Sequence, residues 1–170
     1  MALLAAALIM GGFLFVWFHF VTRHGLELPR SIGGYQRVDN AGTKADVKQI
    51  QVTSSKTGLK ALAGGYGHSG RGFSLIVVED PPVGFPPAPV LFSTWAGALA
   101  KDGRVTAVVG QMRQTEADGG VTIDCAPLVG AASGSLCVWT GPHTAGILMG
   151  VGIGMPEAQG LTAEASQAIA

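Results

Sequence analysis

Residues 1–21 form one apolar run that contains no Asp, Glu, Lys or Arg, and Arg23 follows it closely. As a helix, a run of this length spans about 31 Å at about 1.5 Å per residue, which matches the hydrocarbon thickness of a bilayer. Bulky aromatic side chains, including Trp17 and Phe20, lie in its second half, as is typical of a membrane interface. We therefore predict a transmembrane helix over residues 1–22, in contact with the lipid bilayer through residues 1–21.

Two other interpretations of the apolar run stay open. A cleaved signal peptide has a basic start, a shorter apolar core and a small-residue cleavage site, and the first ten residues carry neither Lys nor Arg. A buried helix in the core of a globular domain is also apolar on all sides. We favour the membrane helix because the run is long and no cleavage motif of the A-x-A type follows it.

The rest of the chain predicts a short linker and one domain. Residues 23–31 are interrupted by Pro29, which is typical of a linker, and residues 32–170 are long enough for one domain with its own hydrophobic core. Hydrophobic residues make up 48% of the chain, which argues against disorder, and 26 glycines predict many turns. Basic residues are not clustered with aromatic residues and the formal net charge is zero, so we expect no nucleic-acid partner.

Charge is divided unevenly along the chain. Residues 22–71 carry a net charge of +5 and residues 72–170 a net charge of −5. The basic half could lie against anionic lipid headgroups next to the membrane. It could also be a solvated surface that pairs with the acidic half, and we favour this second interpretation.

The spacing of apolar and turn residues predicts an α+β domain. We expect helices over residues 90–100 and 156–170, a weaker helix within residues 43–60, and an antiparallel sheet with the helices on one face. The expected strands or extended segments are residues 32–38, 73–79, 105–109, 120–125, 135–140 and 145–153.

Cys125 and Cys137 are the only cysteines, and each lies in a predicted strand. A loop of small residues, 130–134, lies between them, so the two Cα atoms can approach within the roughly 4.4–6.8 Å that a disulfide requires. A pair of buried free thiols is the alternative. We predict a disulfide, because an even cysteine count behind an apolar N-terminal segment is typical of an oxidising compartment.

Two signals disagree about the side of the membrane on which the domain lies. Arg23, Arg30 and Arg37 follow the apolar run and no basic residue precedes it, so the positive-inside rule favours a cytoplasmic domain. A basic stretch upstream of Met1 would remove this bias. Because the predicted disulfide favours the opposite side, we predict a cell-membrane protein with an extracytoplasmic domain.

Several short motifs resemble those of a group of uncharacterised actinobacterial single-pass membrane proteins. Residues 137–140 with residues 144–146 are similar to the C-[VA]-W-[AT]-D-x-x-T-x-G segment of that group, and residues 29–37 are similar to its P-x-x-x-x-G-[YL]-x-R segment. The dipeptide Tyr66-Gly67 and the first cysteine follow in the same order. This chain has Gly141 where those proteins often carry Asp. The resemblance implies an extracytoplasmic domain with a cysteine bridge, and it implies no particular chemistry.

Other motifs have simpler structural interpretations. Residues 65–70 match G-x-G-x-x-G, but a strand rather than a helix is expected after them, so we predict a turn and no dinucleotide cofactor. His24, His68 and His143 are not paired at the spacings of metal ligands, and we predict no metal site and no other cofactor. Trp139 is expected to pack over the disulfide.

Ser133, Asp124 and His143 lie near the same predicted loop region, which keeps a membrane-tethered hydrolase as an alternative function. No nucleophile-elbow pattern surrounds Ser133, so we name no catalytic residue and lean against an enzyme. Asp124 is expected to be a residue at the edge of a strand.

The Pro-rich loop over residues 81–89 is the best candidate for a recognition surface, because such segments hold an extended conformation at low entropic cost. Phe85, Pro86 and Pro87 are its predicted interaction residues, and a stiff connector is the alternative. We predict a membrane-anchored cell-envelope protein with a binding or interaction domain for an unidentified protein partner. A structural subunit of a membrane complex is a further alternative.

Overall fold

The computed structural model describes residues 27–39, 47–48, 60–79, 85–103 and 105–169. Its strands are β1 (Ser31–Ile32), β2 (Tyr35–Val38), β3 (Ala61–His68), β4 (Arg71–Glu79), β5 (Val105–Ala107), β6 (Arg113–Ala117), β7 (Val121–Gly130), β8 (Gly134–Thr140) and β9 (Thr144–Val151). Its longer helices are α1 (Ala88–Asp102) and α2 (Met155–Ile169), and a short 3-10 helix covers Val109–Gln111. The described part of the chain is therefore an α+β domain, as predicted.

All nine of these strands belong to one antiparallel sheet. Their order is β1-β2-β3-β4-β9-β8-β7-β5, and β6 also pairs with β7. Strands β5 and β6 share the outer side of β7, where β5 pairs with residues 128–130 and β6 with residues 121–125. Strand β7 is therefore flanked on both sides along most of its length.

Two-residue turns close the first hairpins of the sheet. Gly33 and Gly34, with φ of 54° and 83°, connect β1 to β2, and Ser69 and Gly70, with φ of 49° and 80°, connect β3 to β4. Positive φ at both central residues is the property of the type I′ turn, whose twist matches that of the strands it joins. These turns therefore set the register of β1 with β2 and of β3 with β4.

The central strands bury side chains on both faces of the sheet. Because side chains alternate along a strand, Cys137 and Leu136 of β8 point to opposite faces. The face of Cys137 packs against α2 through Leu161 and its neighbours, and the face of Leu136 packs against α1 through Phe92 and its neighbours. We call these the α2 face and the α1 face.

The prediction that the helices lie on one face of the sheet is wrong. Residues 136–139 of β8 have the sequence Leu-Cys-Val-Trp, and all four are buried. A strand with consecutive apolar residues cannot leave either side to water, so each face needs a cover. One helix covers each face of the central strands.

Most predicted elements are present with shifted ends. The predicted helices over residues 90–100 and 156–170 correspond to α1 and α2. Strands β3 and β6 lie where no strand is expected, because β3 is rich in glycine, which is rare in strands, and β6 is an exposed polar edge strand. Of the helix expected within residues 43–60, only Val47 and Lys48 are described in the middle of the segment, and both are helical.

The predicted membrane segment cannot be compared with this fold. Across the ranges that the structure describes, no helix has both the length and the apolar composition needed to cross a bilayer. The predicted transmembrane helix over residues 1–22 and the start of the linker, residues 23–26, lie outside those ranges. The membrane helix stays a prediction.

Candidate functional site

A cavity of about 240 Å³ lies at the side of the sheet where β2 and β3 stop pairing. Four segments line it: Leu28 before β1, residues 37–39 at the end of β2, residues 47–48, and residues 62–65 of β3. We call this cavity the edge pocket. It combines apolar walls with charged side chains, which is the usual composition of a small-ligand site.

The edge pocket contains an open strand edge. Strand β2 pairs with β3 only at residues 65–67. The backbone N–H of Arg37 donates to the carbonyl of Arg30 at 2.9 Å, so the peptide groups of Arg37 face away from β3. Along a strand, the peptide groups of successive residues point alternately to the two sides. Arg37 lies opposite Tyr66, so Tyr66 also faces away from β2, whereas Gly65 and Ala63 face the side on which β2 lies. Strand β2 ends before it reaches Ala63. Among the described residues, none pairs with Ala63 on that side.

The segment before β1 is fixed to the sheet beside the edge pocket. The Tyr66 hydroxyl donates to the carbonyl of Pro29 at 2.8 Å, and Arg37 Nη1 donates to the carbonyl of Leu28 at 3.3 Å. The Leu28 side chain covers Gly64, where a Cβ atom would lie 2.9 Å from Leu28 Cδ1. Burial raises the pKa of Tyr66 to about 12, so its hydroxyl stays protonated and can donate at neutral pH. The end of the predicted linker is therefore part of the domain.

Among the described residues that line the edge pocket, two are cationic and one is acidic. Arg37 Nε lies 3.5 Å from Asp39 Oδ1, and these side chains are 38% and 61% exposed. The third charged residue of the lining, Lys48, is also exposed. Exposed ion pairs contribute only about 0–1 kcal/mol, so Arg37 can exchange Asp39 for an anionic ligand at little cost.

A second polar cluster, which we call the α2 clamp, joins α2 to the sheet. The Tyr35 hydroxyl donates to Glu157 Oε1 at 2.8 Å, Arg71 Nη2 donates to Glu157 Oε2, and Arg71 Nε donates to the carbonyl of Gly152 at 2.9 Å. The hydrogen bond from Arg71, followed by that from Tyr35, lowers the pKa of Glu157. Because these groups bond to one another, we interpret the α2 clamp as structural.

The prediction of a disulfide is confirmed. Cys125 and Cys137 face each other directly on β7 and β8, and their Cα atoms are 4.1 Å apart. Trp139 is fully buried in the same cluster on the α2 face. Its ring occupies the space that a Cβ atom on Gly146 of β9 would need. The disulfide, Trp139 and the bare backbone of Gly146 therefore pack as one unit.

The structure does not bring the three hydrolase candidates together. Ser133 lies in the loop between β7 and β8, and His143 lies in the loop between β8 and β9, so the seven residues of β8 separate them. A strand of that length measures about 23 Å at about 3.3 Å per residue. Asp124 is fully buried, whereas Ser133 and His143 are exposed.

Asp124 is an interior residue, so its expected place at a strand edge is wrong. It lies on the α1 face between Gln114 of β6 and Val138 of β8, with an exposed fraction of 0%. Neither carboxyl oxygen has a hydrogen bond of normal geometry to any residue that the structure describes. Burial raises the pKa of the carboxyl, and Gln114 offsets only part of that rise. A polar residue within an apolar strand was the sequence signal for a buried Asp124. The residue was expected at an edge because strand β6, which pairs with β7 beside it, was not predicted.

The predicted interaction residues of the Pro-rich loop are only partly described. Phe85 is half-buried, and Pro86 and Pro87 are exposed. The carbonyl of Pro87 accepts the backbone N–H groups of Val90 and Leu91, so this proline also begins α1. The earlier loop residues lie outside the described ranges. A recognition role for Phe85 stays a prediction.

The glycine motif lies mostly within a strand, and His24 lies outside the described ranges. Residues 65–68 belong to β3, and only Ser69 and Gly70 form the expected turn. Across those same ranges, no three His, Cys, Asp or Glu side chains are close enough to hold a metal ion.

Comparison of the chain with protein-family models, with curated proteins and with solved structures gave no match. The confirmed disulfide agrees with the cysteine bridge that the actinobacterial resemblance implies. The resemblance itself stays a prediction.

Proposed function

We propose that this chain is a membrane-anchored cell-envelope protein whose extracytoplasmic domain binds a ligand at the edge pocket. The apolar run over residues 1–21 supports the anchor, because its length matches a bilayer. The disulfide between Cys125 and Cys137 supports an oxidising compartment. Binding rather than catalysis is favoured, since the pocket offers apolar walls and cationic side chains and lies apart from Ser133 and His143.

The observation that carries the proposal is the position of the edge pocket in the chain. Its wall includes Leu28, which follows the end of the predicted transmembrane helix at residue 22 by six residues. Six residues of fully extended chain reach about 20 Å. With the helix in a bilayer, the pocket therefore opens within about 20 Å of the point where the chain leaves the membrane.

Protease accessibility in intact cells tests the proposal. With an epitope tag at the C-terminus, we expect an external protease to remove the tag while a cytoplasmic control protein survives. Loss of the tag only after the membrane is broken would show a cytoplasmic domain, as the positive-inside rule favours. Release of the chain by an alkaline wash of the membrane would show that residues 1–21 are not an anchor.

A further inference from the structure

We propose that the edge pocket binds the phosphate group of an anionic lipid headgroup. The inference rests on the proposed function, because the membrane that holds residues 1–21 is the source of the ligand. It replaces the simpler interpretation of the basic half of the chain as a solvated surface that pairs with the acidic half.

The pocket cannot separate from the point where the chain leaves the membrane. Leu28 and Pro29 are held by hydrogen bonds from Arg37 and Tyr66, so the chain from residue 28 onwards moves with the sheet. Only residues 23–27 remain between this docked segment and the predicted helix end. Such a short connection keeps the pocket within about 20 Å of the end of the predicted helix, which brings the headgroup layer within its reach.

Cationic side chains from two separate segments meet in the pocket. Arg37 comes from β2 and Lys48 from the helical segment at residues 47–48, and among the described residues of the lining Asp39 is the one acidic side chain. The Arg guanidinium matches the geometry of phosphate oxygens, and the Lys ammonium supplies a point charge. The N–H of Ala63 at the strand edge has no partner among the described residues and is a third donor of the kind that binds anions.

Apolar walls distinguish a lipid from free phosphate. Leu28, Val47 and Leu62 line the same cavity as the cationic groups. Free phosphate gains nothing from such walls, whereas the glycerol and upper acyl carbons of a lipid bury apolar surface there. The pairing of cations with apolar side chains in one pocket therefore favours a headgroup that is still attached to its lipid.

Native mass spectrometry of the full chain tests this inference. We would reconstitute the chain in nanodiscs of phosphatidylcholine with about one fifth phosphatidylglycerol, extract it into neutral detergent and count the retained lipids. We expect the wild type to retain phosphatidylglycerol in preference to phosphatidylcholine. Lys48→Gln should reduce that retention about fivefold, since a basic residue near an anionic surface contributes about 1 kcal/mol. Arg37→Gln should reduce it too, but it also removes the bond to Leu28, so Lys48→Gln is the decisive variant.

The matched control is Lys101→Gln, which removes an exposed lysine in the last turn of α1 and should leave retention unchanged. An equal loss with this control would show a general charge effect and overturn the inference. A second experiment adds glycerol phosphate, a water-soluble phosphate ester, to the chain in detergent. Binding of glycerol phosphate without any preference for phosphatidylglycerol would also overturn the inference. A chain that fails to enter nanodiscs contradicts the proposed anchor, whereas a chain that enters without preferring phosphatidylglycerol contradicts only this inference.

Discussion

At the scale of the single residue, Asp124 is an acidic side chain that lies in the interior of the domain. Its carboxyl is fully buried on the α1 face, and within the described part of the chain neither oxygen has a hydrogen bond of normal geometry. A buried charge without a partner costs free energy, so the folded state favours the protonated form. Burial accordingly raises the pKa of Asp124 above its ordinary value of 3.8.

We expect Asp124→Asn to raise the melting temperature of the protein at neutral pH, because the neutral amide removes the cost of a buried charge. The folded state of the wild type holds the proton more tightly than the unfolded state, so the stability that this carboxyl provides is complete below its ordinary pKa. That stability is lost as the pH rises through the raised pKa of Asp124. The variant does not show this loss, because the Asn side chain has no carboxyl proton to release. Thermal unfolding of the full chain in detergent should show an advantage at pH 7 that shrinks towards pH 3.

The matched control is Asp118→Asn, in the exposed turn between β6 and β7, which should leave the melting temperature at pH 7 unchanged. An advantage of Asp124→Asn that does not change with pH would contradict the ionisation argument.

Gly146 is a second residue whose role depends on a single contact. A Cβ atom there would overlap the ring of Trp139, which is fully buried and has no room to move aside. We expect Gly146→Ala to destabilise the protein by about 1–3 kcal/mol or more, as overpacked core positions do. Gly97→Ala is the control, because nothing lies within 4 Å of a Cβ atom on Gly97 in α1. It should gain about 0.5–1 kcal/mol from helix propensity, and equal melting temperatures for the two variants would refute the overlap.

At the scale of the elements, the hairpin of β7 and β8 is the segment most dependent on a covalent bond. Removing the disulfide with Cys125→Ala or Cys137→Ala should cost about 2–5 kcal/mol. The double variant should cost no more than either single one, because one bond is lost in each case. A thiol-labelling reagent added to the unreduced, unfolded wild type should label neither cysteine. Labelling of both would remove the argument for an oxidising compartment.

The elements also show which sequence signals succeeded. Strands β7 and β8 follow from β-branched residues and small-residue turns, and α1 follows from apolar spacing that continues to Leu99. Strand β3 was not predicted, because five of its eight residues are alanine or glycine, which have low strand propensity. It forms because both its neighbours, β2 and β4, pair with it, and pairing is not encoded within the segment itself.

At the scale of the whole molecule, the α2 clamp joins the last helix to the first strands. We expect Glu157→Gln to lower the melting temperature, because the uncharged amide cannot replace the ion pair with Arg71. The pKa of Glu157 is lowered in the folded state, so its stabilising effect is present above the ordinary pKa of a glutamate and is lost as the pH falls through the lowered value. The difference between wild type and variant should therefore vanish in acid, and salt should reduce it because the pair is half-exposed.

Glu164→Gln is the control for this clamp. Glu164 Oε1 accepts the backbone N–H of Gly33 at 2.8 Å, and a glutamine oxygen can accept the same bond. Melting curves recorded against pH should separate the two variants. If Glu164→Gln lowers the melting temperature as much as Glu157→Gln, then loss of any negative charge on α2 explains the effect. That result would contradict a specific stabilising role of the α2 clamp.

The sequence by itself determined the local features of this protein. Apolar spacing located α1, and a proline followed by a segment rich in Glu and Ala located α2. The even cysteine count, together with a short loop of small residues between two strands, predicted the bond between Cys125 and Cys137. These features depend on residues close together in the chain. The length of the apolar run over residues 1–21 likewise predicts an anchor without reference to any other segment.

Only the tertiary structure decided which distant segments meet. Leu28 covers Gly64, Tyr35 bonds to Glu157, and one helix lies on each face of the sheet. The edge pocket exists because β2 ends before β3 does and leaves a strand edge beside Arg37. Contacts of this kind depend on strand order and register, which result from the packing of the whole domain, whereas local spacing reports only which element a segment forms.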